Sequence, residues 1–385
     1  MALKGPVHAG IAGLSPYLPG KPVEALTREL GITDVIKLAS NENPRGPGEL
    51  VQEAIRRALA TLSRYPDGSG FRLRQALAAH LDVKPEQITL GNGSNDVLDL
   101  AARITLNPGA EAIVSRHAFV VYRLVVASCG ARLIEVPALN YGADLSAMLA
   151  GINEQTAMIF LANPNNPTGN WVGARALTDF LDRVPERVWV VLDEAYAEYV
   201  EIDDYPDGVR LLERYPNLIV TRTFSKIHGL AALRVGYSVT SPEVADLMNR
   251  ARQPFNVNAL GLAGAEAALR DQEFVSTSRA MNREGMQQIR TGLTALKLET
   301  IPSAGNFLTF DLGQPAAPVY QALLREGVIV RPIAEYGLPD HLRVSVGLPR
   351  ENERFLAALG RVLASAERPD GSRPSGASAD ARSGG

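Results

Sequence analysis

A single cysteine, Cys129, stands in 385 residues. That scarcity excludes an intramolecular disulfide and a thiolate-based structural zinc site, and it fits a reducing compartment. Neither sign of charge is in marked excess: a formal net charge of −3 leaves no electrostatic footprint for a nucleic-acid backbone or an anionic lipid surface. The chain lacks any run of about 18 apolar residues that would span a bilayer. Its first residues, Met-Ala-Leu-Lys-Gly-Pro, have no signal-peptide core, so a cytoplasmic location is expected. Internal repeats and blocks of like charge are missing. So are two nucleotide fingerprints, the Walker loop and Gly-x-Gly-x-x-Gly, which argues against a nicotinamide-dependent dehydrogenase. No set of residues suggests a metal site.

What is present is the composition of an ordinary globular protein, 46% hydrophobic and 21% charged, which can fill a large core over two or three domains. Residues 1–40, with Pro6, Pro16, Pro19 and Pro22, read as an arm with a short helix over 23–30, packing on another domain or a partner subunit. Helical spacing follows over 50–59 and 71–81, separated by the turn Arg64-Tyr65-Pro66-Asp67-Gly68. A strand over 88–90 runs into Gly91-Asn92-Gly93-Ser94-Asn95-Asp96 and then a helix predicted over 97–104. Strand, glycine-rich turn and helix form a layout that cradles an anion, because backbone N–H groups and the helix dipole converge there.

From residue 112 onward, apolar strands alternate with helices, which predicts an α/β fold with a mostly parallel sheet covered on both faces. Function in such sheets gathers at the carboxyl ends of the strands. Three successive strand ends carry polar side chains: Asn163-Pro164-Asn165-Asn166-Pro167-Thr168-Gly169 after 157–161, Asp193-Glu194-Ala195-Tyr196 after 188–192, and Ser225-Lys226 after 218–220. Lys226 lies between Ser225 and Arg234, and a neighbouring guanidinium favours a neutral, nucleophilic amine. Past residue 270 comes a second, smaller α+β domain with strand-like segments at 307–310 and 328–330, then a tail from about 366 almost free of large apolar residues, expected to be disordered.

Pyridoxal 5′-phosphate needs this inventory: an amine, an anion beside its pyridinium nitrogen, donors to its phenolate oxygen, a phosphate nest and an aromatic face. Lys226 supplies the amine, Asp193 the anion, and Asn163 and Tyr196 the donors. Gly93, Ser94, Asn95, Ser225 and Arg234 supply the nest. Phe119 suits either stacking on the ring or packing in the core. His228, two residues beyond the lysine, suits packing better than catalysis.

Asn-Glu-Asn-Pro at 41–44, Tyr-Pro-Asp at 65–67, Gly-Asn-Gly-Ser, Asn-Pro-Asn-Asn-Pro-Thr-Gly, Asp-Glu-Ala-Tyr, Ser-Lys-x-x-Gly-Leu-x-x-Leu-Arg-x-Gly-Tyr and Leu-Arg-Val-Ser-Val-Gly at 342–347 together resemble, in order and approximate spacing, the fold-type I pyridoxal-phosphate-dependent aminotransferases. Within these the chain is most similar to the histidinol-phosphate aminotransferases, from about residue 14 to 363. The resemblance implies a large cofactor-binding domain over 41–270 and a small one over 271–365, with the arm and the tail, 366–385, at either end. It implies a homodimer in which Tyr65 reaches the cofactor phosphate of the other subunit, replacing the local reading of that stretch as a mere turn. It also implies that Arg343 receives the carboxylate of glutamate and, in the other half-reaction, the phosphate of histidinol phosphate, with Arg331, Tyr17 and Asn306 as further candidates for that pocket. An aromatic amino-acid aminotransferase or a threonine-phosphate decarboxylase would share the cofactor residues and differ in the pocket. A ligand-sensing domain of a transcription regulator fits less well, since no basic helix-turn-helix segment precedes it.

Overall fold

Period-two alternation of buried aliphatic residues sends successive side chains of the central strands into two different cores. Ile159 and Leu161, Val190 and Leu192, and Leu218 and Val220 pack on one side of the sheet. Met158 and Phe160, Val191, and Ile219 pack on the other. Each fully buried aliphatic side chain contributes about 2 kcal/mol through removal of apolar area from water. A sheet so covered holds its strand ends rigidly, which suits a site built on them.

The computed structural model describes residues 5, 7–16 and 20–366. Its large sheet comprises β1 (Ile88–Gly91), β2 (Glu111–Ser115), β3 (Arg132–Val136), β4 (Thr156–Ala162), β5 (Trp189–Asp193), β6 (Leu218–Thr223) and β7 (Gly236–Val239). Their order across the sheet is β1, β7, β6, β5, β4, β2, β3. Only β7 runs antiparallel to its neighbours; the pairings among β6, β5, β4, β2 and β3 are parallel. The chain therefore has the expected α/β architecture, with the ends of β4, β5 and β6 side by side.

The helix predicted over 97–104 spans Ser94–Thr105. It begins three residues early because the polar run forms its own first turn: Gly93 adopts φ +83°, and Asp96 Oδ2 accepts the Asn92 N–H at 2.8 Å. The glycine-rich turn thus sits directly on the helix N-terminus. The arm helix spans Val23–Leu30 and is closed by Gly31 in the left-handed region, an ordinary glycine stop.

The segment expected as one strand over 328–330 divides its pairing. Val328–Ile329 lies parallel to Ile36–Lys37, whereas Arg331–Ile333 joins a second sheet in the order Phe307–Asp311, Leu338–Ser345, Arg331–Ile333. Leu308, Phe310, Val330, Leu342, Val344 and Phe355 fill the core beneath this sheet. The segment leading into Asn-Glu-Asn-Pro is fastened beside the smaller sheet, Leu38 O accepting the Ser345 N–H at 2.8 Å, although it precedes the larger sheet in sequence. Tyr17 and residues 367–385, which cover nearly all of the expected tail, lie outside the described residues. Among the described residues no helix is long and apolar enough to cross a membrane.

Candidate active site

Where β4, β5 and β6 end, a cavity of ≈ 210 Å³ opens between the two sheets. Its floor is the Asp193 carboxylate, 4% exposed. Tyr122 Oη donates to Asp193 Oδ2 at 2.8 Å, and Thr221 Oγ1 donates to Oδ1 at 3.1 Å. Burial pushes the Asp193 carboxyl above its ordinary range, opposed by Tyr122, Thr221, the Ala195 N–H and the Lys226 charge. A buried carboxylate held at a net desolvation cost gains from a cation brought against it. The adjacent Glu194 points the other way along the pleat, where Arg222 binds it through Nε at 2.9 Å and Nη2 at 2.7 Å. Alternation along the chain therefore selects which of two consecutive carboxylates faces the cavity.

Lys226 follows β6 and lines the same cavity. Its Nζ lies 3.4 Å from the Ser40 carbonyl oxygen and 5.4 Å from the centre of the Tyr196 ring. Beyond it the backbone doubles back so that Arg234, in the left-handed region at φ 54°, aims its guanidinium toward Ser225 Oγ, 3.2 Å away. A side chain at position 93 would come within 2.4 Å of Arg234 Nη2, and one at position 236 within 2.3 Å of the Ser94 nitrogen. Glycine at both places lets a helix N-terminus, a serine hydroxyl and a guanidinium converge. Ser94, Asn95, Ser225 and Arg234 all line this end of the cavity. The result is a cup of donors suited to a phosphate.

Two buried arginines also line the cavity. Arg331 and Arg343 are directly opposite one another on antiparallel strands, so both side chains emerge on one face. Arg343 donates through Nη2 to the Ala39 carbonyl at 2.7 Å and through Nη1 to Asn166 Oδ1, and Arg331 pairs with Glu335. Phe119 also lines the cavity, with Tyr122 set edge-on to it at 5.8 Å between ring centres.

Of the expected residues that the structure describes, four are not among those lining the cavity: Gly93, which packs against the Arg234 guanidinium, Asn163, Asn306 and Tyr65. Asn163 does not line the cavity: its amide exchanges two hydrogen bonds with the Val172 backbone, at 3.1 and 2.8 Å. The asparagine of that turn that lines the cavity is Asn166, three residues on. Both Asn163 and Asn166 precede proline, so sequence alone did not discriminate between them. Asn306 is spent on the backbone, donating to the carbonyls of Asn41 at 3.1 Å and Glu42 at 3.3 Å. Tyr65 is 82% exposed, outside this chain's cavity, and lies flat on Phe255 with ring centres 4.7 Å apart. Tyr17 falls outside the described residues. Conversely, Tyr122, Asn41 and Thr223 line the cavity without having been singled out for it.

His228 is buried against Phe224, with ring centres 5.0 Å apart, and does not line the cavity. Burial pushes its pKa down to about 4 from 6.5. An unfolded chain therefore takes up the proton first as pH falls. The stability contributed by the neutral ring is complete above 6.5 and is lost on the way down to about 4, roughly 3 kcal/mol in all. His228→Gln should remove that part of the acid dependence, visible as a smaller change between pH 7 and 4.5 in urea-unfolding free energy; an unchanged slope would contradict it.

Comparison with known proteins agrees with this geometry. The family model for aminotransferase class I and II matches residues 33–359. A curated histidinol-phosphate aminotransferase 2 of Pseudomonas fluorescens is 59% identical over 92% of this chain and 96% of its own length. Its namesake from Pseudomonas aeruginosa is also 59% identical, covering 92% and 97%. A crystal structure of histidinol-phosphate aminotransferase from Sinorhizobium meliloti in complex with pyridoxal 5′-phosphate superimposes with a TM-score of 0.88 at 32% identity, over 95% of this chain and 99% of that one.

Proposed function

Because the chain belongs to the class I and II aminotransferases, we propose that it transfers the amino group of histidinol phosphate to 2-oxoglutarate, giving imidazole-acetol phosphate and glutamate, as a step of histidine biosynthesis. The observation that carries the reading is the set of groups gathered in one cavity: a buried carboxylate, an amine, a phosphate cup and a pair of arginines. The cofactor in this reading is pyridoxal 5′-phosphate, which when bound supplies an aldehyde for amines and a ring that draws electrons from the substrate Cα.

The residues present fit that group. The cup that Gly93 and Gly236 keep clear would take the phosphate through Ser94, Asn95, Ser225 and Arg234. The Asp193 carboxylate, buried at a cost, would hold a protonated ring nitrogen. Tyr196 would donate to the phenolate oxygen, with Asn166 in the part first assigned to Asn163, and Phe119 would cover one face of the ring. Lys226 would supply the amine and carry the proton away from the substrate Cα. Arg343, with Arg331 beside it, orients the substrate through its anion. One cavity serves two successive substrates, so the same guanidiniums meet a phosphate in one half-reaction and a carboxylate in the other.

Residues 41–270 form the cofactor domain in this reading and 271–365 the smaller domain, with the arm docked on the latter through Ile36–Lys37. The enzyme works as a cytoplasmic homodimer. The exposed Tyr65, supported by Phe255, reaches the phosphate bound by the other subunit. Tyr65→Phe should then weaken cofactor affinity about tenfold, the worth of one hydrogen bond to a charged group, measured by equilibrium dialysis. Unchanged affinity would remove Tyr65 from the site.

The substrate assignment is tested by steady-state transamination with 2-oxoglutarate as acceptor. Phenylalanine and tyrosine carry a carboxylate that can meet the same guanidiniums, so discrimination must come from pocket groups that hydrogen-bond the imidazole; on that basis histidinol phosphate should exceed both by about 100-fold in kcat/KM. The reverse order would make the enzyme an aromatic aminotransferase, and release of carbon dioxide from threonine phosphate would make it a decarboxylase.

A further inference from the structure

Asn41 holds an unusual backbone conformation for a reason that reaches the cavity. It is a non-glycine residue at φ 53°, and it is 1% exposed. Such a conformation persists only where surrounding contacts determine it. Here the Asn41 N–H donates to Ser345 Oγ at 2.8 Å, and the Asn41 carbonyl accepts from Asn306 Nδ2 at 3.1 Å. The Ser345 hydroxyl, already accepting from that backbone, turns its proton onto Asn41 Oδ1 at 2.9 Å. Fixing the amide oxygen on Ser345 leaves the amide nitrogen facing the other way, and Nδ2 donates to Tyr196 Oη at 2.9 Å. A phenol oxygen that receives a hydrogen bond from one side is left to spend its own proton elsewhere. Tyr196 is buried and lines the cavity.

We propose that Asn41 is a positioning residue for Tyr196: its amide N–H occupies the phenol oxygen and directs the phenol proton into the cavity, onto the phenolate oxygen of bound pyridoxal 5′-phosphate, while Ser345 locks the amide in that sense. This rests on the cofactor reading given above. The direction of the chain of donors matters more than its existence. Tyr196 follows β5 of the large sheet, whereas Ser345 ends a strand of the small one. The phenol is therefore polarised toward the cofactor only while the two sheets hold their present arrangement. Asn41 thus links the seating of the smaller sheet to the electronic state of the ring.

The test uses the full-length protein loaded with pyridoxal 5′-phosphate and reads the pH midpoint of its visible absorption band, not turnover. A proton donated to the phenolate oxygen favours its ionised form, so losing that donor raises the midpoint. Tyr196→Phe sets the reference, with an expected rise of about one unit. Asn41→Asp keeps the shape of the side chain but reverses its polarity, so that Tyr196 donates to position 41 instead; the midpoint should rise as far as in Tyr196→Phe. Asn41→Gly, which accepts the positive φ without strain, frees the phenol to point either way and should give a smaller rise, as should Ser345→Ala. The double variant with both Asn41→Asp and Tyr196→Phe should match Tyr196→Phe alone.

A midpoint unmoved by Asn41→Asp in protein that holds a full complement of cofactor overturns the assignment. So does a shift from Asn41→Asp that persists in the Tyr196→Phe background, because it would then stem from the added charge and not from the phenol proton. Equilibrium dialysis of the wild-type apoprotein against pyridoxal 5′-phosphate comes first. A wild-type chain that binds none removes the cofactor reading, an outcome distinct from a bound cofactor insensitive to position 41.

Discussion

Lys226→Ala should lower kcat by at least about 10⁴-fold, the upper range for a positioned acid–base group, with a covalent role lost in addition. Among the described residues lining the cavity it is the one primary amine. Arginines line the cavity as well, but a guanidinium stays protonated and neither attacks a carbonyl nor carries a proton at neutral pH. The position also leaves nothing to replace it: Nζ lies beside the Ser40 carbonyl oxygen and over the Tyr196 ring, within the same cavity as Asp193. The measurements are single-turnover transfer from the amino donor and the visible absorption of the loaded protein. Thermal unfolding of the apoprotein should change little, since the amine bonds only one carbonyl at long range. Near-normal turnover would end the assignment of Lys226 and, with it, the reading of the stretch between Ser225 and Arg234.

Arg343→Ala should reduce kcat/KM for the amino donor and for the oxo-acid acceptor alike, by roughly 10²–10³-fold each. Truncating one partner of a buried, hydrogen-bonded charge costs about 2–5 kcal/mol. Arg343 is 6% exposed and braced from two sides, by the Ala39 carbonyl and by Asn166. Its guanidinium is thereby preoriented, so an arriving phosphate or carboxylate meets a fixed fork. Arg343→Lys should recover only part of the loss, because a single ammonium cannot engage two oxygens in one plane. Arg331 shares the face and softens the effect, which sets the ceiling below that of Lys226→Ala. Loss confined to the acceptor would refute a common anion site and hand the donor's phosphate to Arg331 or to the arm.

The parts of this site that could be read in advance are those whose geometry is local. Asp193 ends one strand and Lys226 comes three residues after another, and a strand end in a doubly covered sheet lies at the functional edge whatever the rest of the chain does. The glycines at 91 and 93 before a helix start likewise announce an anion cup through backbone properties alone. Yet the same local view misassigned the turn after β4. Asn163 and Asn166 sit in equivalent Asn-Pro pairs, and what separates them is that Val172 captures one amide while the other meets Arg343, 177 residues later.

By itself, then, the amino-acid sequence determined the alternation of strands and helices, the cofactor-sized set of polar strand ends, and the amine, carboxylate and phosphate cup, because each depends on periodicity or on neighbours a few residues apart. Only the tertiary structure decided that Asn166 and not Asn163 faces the cavity, that Tyr122 supports Asp193, that Arg331 and Arg343 stand side by side, and that Asn41 orients Tyr196. The contacts of Tyr122 with Asp193, of Asn166 with Arg343 and of Asn41 with Tyr196 and Ser345 join residues 71 to 304 positions apart, and strand register brings Arg331 opposite Arg343. Side-chain direction at such distances follows from how two sheets pack, and no periodicity along the chain encodes it.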